Sequence, residues 1–201
     1  RETLAMIGLF TIAFIATLPA YTLSTLFSTK GFMFGTYQTS LRAYDLTEYH
    51  RFLIYLAIII PLVLYFSLRN AEFNLRKVML IVICIGCLFS LLTDYGSDGI
   101  FSKDAAGNLS VNVNSLPLHL CHTALYIVPL CLLFNLKRLF YFTYFINVFG
   151  AICAMLMPNC GENTNIFHPA VVLFWYNHIA AFMSPLLCVA LGMFEKPKFK
   201  Q

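Results

Sequence analysis

Charge is what this chain has least of. Of 201 residues, 13 are Lys or Arg and 9 are Asp or Glu, 11% in all, where soluble domains average about 25%. So little charge cannot cover a water-facing surface, which excludes an ordinary soluble domain. Disorder is excluded too, because it needs low hydrophobicity and high charge. The net charge of +4 is no nucleic-acid signature, because the basic residues sit at the ends of apolar runs. There is no internal repeat, so an inverted-repeat transporter finds no support. The 7 cysteines are not a secreted disulfide framework. Cys84, Cys87, Cys121, Cys131, Cys153 and Cys188 lie in apolar runs, where a thiol is usually a small buried hydrophobe, and only Cys160 lies in a polar loop.

What is abundant is apolar sequence, 60% of the chain. Six spans of roughly 20 residues would use about 120 residues, close to that amount. The expected fold class is therefore all-α: a single polytopic membrane bundle over 1–201, with spans at 4–27, 51–68, 78–93, 116–134, 140–157 and 169–193. The first run is too long for a signal peptide and carries Pro19, a kink site. Residues 28–50 mix charge with Phe and Tyr and read as an interfacial loop. Residues 94–115 form the most polar stretch and read as a loop. Lys and Arg favour one side: nine of them (Arg1, Arg69, Arg76, Lys77, Lys137, Arg138, Lys196, Lys198 and Lys200) against Lys30, Arg42, Arg51 and Lys103. The positive-inside rule then puts both termini in the cytoplasm. The chain starts at Arg1 without Met and is read as a fragment of a longer one.

Ionisable side chains at membrane depth are costly, so each is a functional candidate. The fourth span opens Leu116-Pro117-Leu118-His119-Leu120-Cys121-His122. Pro117 suits the first helical position and Ser115 the N-cap before it. His119 and His122, three apart, share a face that Tyr126 continues. The sixth span carries Asn177-His178, and both it and the fourth start from the outer side. Counting along the helices, Cys121 and His178 lie at similar depth, so a thiol and an imidazole from two helices could meet in an outward pocket. Blander readings stand beside this one. A thiol in an apolar helix is more often packed than nucleophilic. The histidines serve equally as polar glue between helices. A metal site is disfavoured, since no carboxylate adjoins the histidines and no HExxH occurs. The Cys84-x-x-Cys87 pair has no charged neighbour to activate it and reads as packing. No cofactor is expected, and the expected partners are membrane lipids.

The run Leu116 to Cys121 resembles the LPLHLC signature of the YwaF-type bacterial integral membrane proteins. The likeness continues through Tyr49-His50-Arg51-Phe52, Tyr144-Phe145, Gly150-Ala151, Leu156-Met157-Pro158, His168-Pro169, Phe174 and Asn177-His178, covering about residues 49–193. The first span would then be extra, and the family pattern runs on past Gln201. That family is similar to eukaryotic transmembrane acyltransferases of ether phospholipids, with a Cys-His dipeptide at the place of Cys121-His122. It also looks related to membrane lipid hydrolases with a Thr nucleophile. The resemblance implies a bacterial cell membrane, a phospholipid substrate, Cys121 as nucleophile and His178 as general base, with His119 and His122 positioning substrate. An oxyanion would need donors, which Asn177, Asn147 or His119 could supply. Two rivals are a small transporter with a path lined by His119, His122 and His178, and a scaffold whose histidines are only helix glue.

Overall fold

The computed structural model describes residues 48–98, 101–103, 107, 109–111, 118–158 and 169–197. The expected first span, 4–27, lies outside them. Among the described residues five helices follow one another: α1 (Glu48–Leu68), α2 (Phe73–Asp98), α3 (Leu120–Phe134), α4 (Lys137–Leu156) and α5 (Pro169–Ala190). Between α2 and α3 a short hairpin pairs β1 (Phe101–Lys103) with β2 (Leu109–Val111) antiparallel, Ser102 opposite Ser110. The expectation of an all-α chain thus holds for the bundle and fails in the polar stretch 94–115. There α2 continues to Asp98, and Gly107 at φ 83° stands in the hairpin connection, a backbone setting that glycine adopts at little cost.

Among the described residues four stretches are long and apolar enough to cross a membrane: His50–Leu68, Phe73–Leu91, Lys137–Leu156 and Val171–Ala190. On α1 the buried residues His50, Leu53, Ala57, Leu64 and Leu68 form one narrow seam, while Tyr55, Ile58, Leu62 and Phe66 are exposed and apolar. Spacings of three, four and seven keep one stripe of a helix inward. An outer face that is also apolar is what a lipid solvent selects. The central element is α5, which packs against α1, α2, α3 and α4 and is buried on nearly every side.

The ends of the helices set their relative heights. Helix α3 stops at Asn135, in the left-handed region at φ 54° and ψ 43°, and α4 begins two residues later. Asn tolerates that conformation better than other side-chain-bearing residues. Helix α5 ends in a Schellman turn: Gly192, at φ 77°, donates to the Val189 carbonyl and Met193 to that of Cys188. The chain then folds back, and Phe194 stacks on Phe140 in the first turn of α4, with centroids 3.9 Å apart. Arg76 of α2 donates from Nη1 to the Leu191 carbonyl (2.9 Å) and from Nε to that of Ala71 (2.8 Å). The C-terminal ends of α1, α3 and α5 and the N-terminal ends of α2 and α4 therefore share one end of the bundle. Arg69, Arg76, Lys77, Lys137, Arg138 and Lys196 belong to that basic end.

Candidate functional site

The first turn of α3 carries the thiol. The sequence signals at Ser115 and Pro117 would start this helix at 116; it starts instead at Leu120, with His119 as N-cap, extended at φ −61° and ψ 143°. The extended ψ is incompatible with a helical turn running through it, so the expected cap position is displaced by four residues. The fifteen-residue α3 is then only about 22 Å long, short of a hydrocarbon core of about 30 Å. With its C-terminal end fixed at the basic end, its N-terminus opens below the opposite membrane boundary. Non-helical backbone at such depth is tolerated where protein or a wet cavity surrounds it.

Depth can be counted from the two caps. Cys121 precedes Asn135 by 14 residues, and His178 precedes Gly192 by 14, which places both about 21 Å above the basic end. The three imidazoles gather around the same level. His119 and His122 meet edge to face with centroids 5.3 Å apart, and both lie within electrostatic reach of His178. His122 and His178 are each only 6% exposed, while His119 is exposed. His178 Nδ1 donates to the Phe174 carbonyl at 2.6 Å, and its ring lies on the Phe174 ring at 4.1 Å. That bond spends Nδ1–H and leaves Nε2 as the ring's acceptor.

Cys121 is half-buried, and the groups facing its sulfur are the backbone N–H of Cys121 itself and of His122. The His122 N–H already donates to the His119 carbonyl at 2.9 Å, whereas the N–H of Cys121 belongs to the first turn, where such groups lack intrahelical acceptors and carry partial positive charge. Among the described residues no hydrogen bond joins the Cys121 thiol to His178.

A brace ties this turn to α4. Thr123 Oγ1 donates to the Leu120 carbonyl at 2.6 Å and accepts from Asn147 Nδ2 at 3.3 Å; Asn147 Nδ2 also donates to the Thr143 carbonyl at 3.0 Å. The Asn147 amide thus has its donor engaged in holding the α3 turn. Asn177, 1% exposed, has no partner for either amide atom among the described residues. His122 Nδ1 is equally unpaired there. Thr143 Oγ1 and Trp175 Nε1 are unpaired there as well; buried polar atoms normally find a protein, water or ligand partner, and of these four side chains Asn177 and His122 lie at the level of the thiol, where a bound polar group would satisfy them. Tyr126 is half-buried one turn below His122.

Sequence reasoning missed three contributors. Thr123 and Phe174 act through backbone carbonyls, and no side-chain pattern announces that. His50 is the third. Residues 28–50 read as an interfacial loop, yet α1 already begins at Glu48 and His50 is completely buried. Its Nε2 donates to the Met155 carbonyl at 2.7 Å in the last turn of α4, and that buried partner is why it leaves the interface. The signal was an imidazole opening an apolar run.

The Cys84-x-x-Cys87 pair is buried packing, with Cys84 against the Ser184 side chain and Cys87 against Tyr176. Among the described residues no group of three or more His, Cys, Asp or Glu converges as metal ligands.

Apolar outer faces and spans of membrane length define a polytopic helical membrane protein. More particularly, the chain belongs to the TMEM164 family, whose family model matches residues 4–201. The matched range takes in residues 4–48, which the YwaF-type likeness left aside. Neither the curated proteins nor the solved structures compared hold a significant match.

Proposed function

We propose that the protein is a thiol-dependent lipid acyltransferase or lipid-ester hydrolase, with Cys121 as nucleophile and His178 as base. The observation that carries this reading is the shared level of the thiol, a helix N-terminus and three imidazoles from two helices. His178 Nε2 takes the Cys121 proton as sulfur attacks an ester carbonyl carbon. The negative charge that gathers on the carbonyl oxygen meets the Cys121 N–H in the first turn of α3 and the rings of His119 and His122. The ester C–O bond breaks, the departing alcohol takes the proton back from His178, and the acyl group stays on sulfur as a thioester. An acceptor hydroxyl, or water, then gives its proton to His178 and attacks the thioester, releasing the Cys121 thiol. Asn177 and Tyr126 hold substrate in this scheme, and Asn147 holds the turn that carries the nucleophile.

The substrate is a phospholipid of the surrounding membrane. The chain forms one transmembrane domain with six spans, residues 4–27 supplying the first, and with both ends cytoplasmic, as the basic end at Arg69, Arg76, Lys137 and Arg138 suggests. The likeness to the YwaF-type proteins argues for a bacterial cell membrane. The test is turnover of a phospholipid carrying a fluorescent acyl chain by the wild type and by Cys121→Ala in vesicles. Loss of turnover with insertion and melting unchanged supports the reading; an unchanged rate overturns it.

A further inference from the structure

We infer that His50 is a positioning residue for the Cys121/His178 pair, an inference that rests on the thiol-transfer reading above. His50 is the one histidine of the described chain that the proposed chemistry does not use. It stands 18 residues before Leu68 at the end of α1, and Met155 stands 18 residues beyond Lys137 at the start of α4, so both lie about 27 Å above the basic end, some four residues of helix rise beyond the thiol. Their bond at 2.7 Å joins the outer ends of two helices that share no tight turn. Met155 lies where helical carbonyls run out of N–H donors, so the imidazole supplies a donor that the helix lacks.

The same ring is also the first of a chain of four. His50 lies 5.7 Å from Trp175, Trp175 lies 5.9 Å from Phe174, and Phe174 carries His178 both by its ring at 4.1 Å and by its carbonyl at 2.6 Å. The strap from α1 to α4 is thus in packing contact, through two aromatic rings on α5, with the turn that orients the proposed base. An imidazole with no exposed surface is a costly way to fill space that Leu would fill. A donor of fixed geometry at that point sets the height of α1 against α4 and seats the ring beside Trp175 of α5, and thereby bears on where His178 Nε2 points. The offset matters because a misplacement of about 1 Å at reacting groups costs on the order of a hundredfold in rate.

The test uses the full chain in phosphatidylcholine vesicles and the variants His50→Leu, which removes the donor, and His50→Gln, whose amide nitrogen reaches the place of Nε2. Trp175 is the single tryptophan, so fluorescence excited at the red edge, where tyrosine does not absorb, reports this seat alone. Three quantities are read: quenching of Trp175 by brominated lipid, the rate at which a long-chain iodoacetamide alkylates Cys121 after subtraction of a Cys121→Ala control, and turnover of the fluorescent phospholipid. In His50→Leu the quenching rises about twofold, and alkylation and kcat fall about tenfold with KM unchanged, the signature of lost alignment. His50→Gln restores all three. If His50→Leu does not insert, His50→Phe takes its place, keeping a ring on Trp175 without the donor. A lower melting temperature with wild-type quenching and alkylation, or a Gln variant no better than Leu, overturns the inference. Wild-type alkylation in His178→Ala overturns the thiol-transfer reading instead, and the Trp175 signal then decides the strap by itself.

Discussion

His178 donates its Nδ1 proton to the carbonyl of Phe174, one turn earlier on the same helix, at 2.6 Å. A ring held this way cannot exchange its two nitrogens, and Nε2 is the atom offered to a neighbouring helix. The consequence is separable by substitution. In His178→Asn the amide can still donate toward Phe174 while no nitrogen base remains, so turnover falls by about 10² to 10⁴ with the melting temperature near that of the wild type. Turnover and melting of this variant are measured together, and retained activity would show that His178 serves structure alone.

The Thr123–Asn147 contact makes a second prediction, about stability. Polar pairs between membrane helices average about 0.6 kcal/mol and reach about 1.7 kcal/mol. A double-mutant cycle with Thr123→Val and Asn147→Leu in detergent unfolding is expected to return a coupling in that range. Because Thr123 also holds the turn that contains Cys121, each single variant slows alkylation of Cys121. Coupling near zero with unchanged alkylation removes the brace.

At the basic end, Gly192 at φ 77° has nothing within 4 Å of where a Cβ would stand, so a side chain there meets backbone strain and no clash. Gly192→Ala is expected to cost about 1 kcal/mol and to leave turnover unchanged, as seen by thermal unfolding beside the lipid assay. Arg76→Leu, which removes the donor on the Leu191 carbonyl, should cost about 1.5 to 3 kcal/mol. Arg76→Lys should recover only part of it, since an ammonium cannot serve Ala71 and Leu191 with the Arg fork.

The histidine level also separates the enzyme from a transporter. If His119, His122 and His178 line a conducting path, proteoliposome flux should appear and should change when all three become Leu. The enzyme reading expects no flux in wild type or variant, and lipid turnover that the His119→Leu, His122→Leu pair lowers.

Composition made the helical bundle legible, because a chain this poor in charge has no other way to meet solvent. For Cys121 and His178 the count along the helices changes its origin. The expected helix start at 116 put Cys121 well inside its helix, whereas α3 starts at Leu120 and the matched depth comes from the far caps, Asn135 and Gly192. The true start was hidden because Ser115 and Pro117 satisfy every local rule for a helix beginning; the extended backbone at His119 contradicts those signals. The hairpin at 101–111 escaped notice because its strands are three residues each and show no alternation long enough to read. His50 escaped because its partner is a carbonyl 105 residues away, and backbone acceptors leave no mark in a sequence.

The thioester is the claim on which the rest depends. Vesicles holding the full chain, incubated with a phospholipid carrying an isotopically labelled acyl chain and quenched in acid, can be digested and read by mass spectrometry. The account predicts the acyl mass on the peptide containing Cys121, cleaved by hydroxylamine and accumulating less in His178→Ala. Lipid turnover that continues in Cys121→Ala, with no acyl group on Cys121 in the wild type, would contradict it.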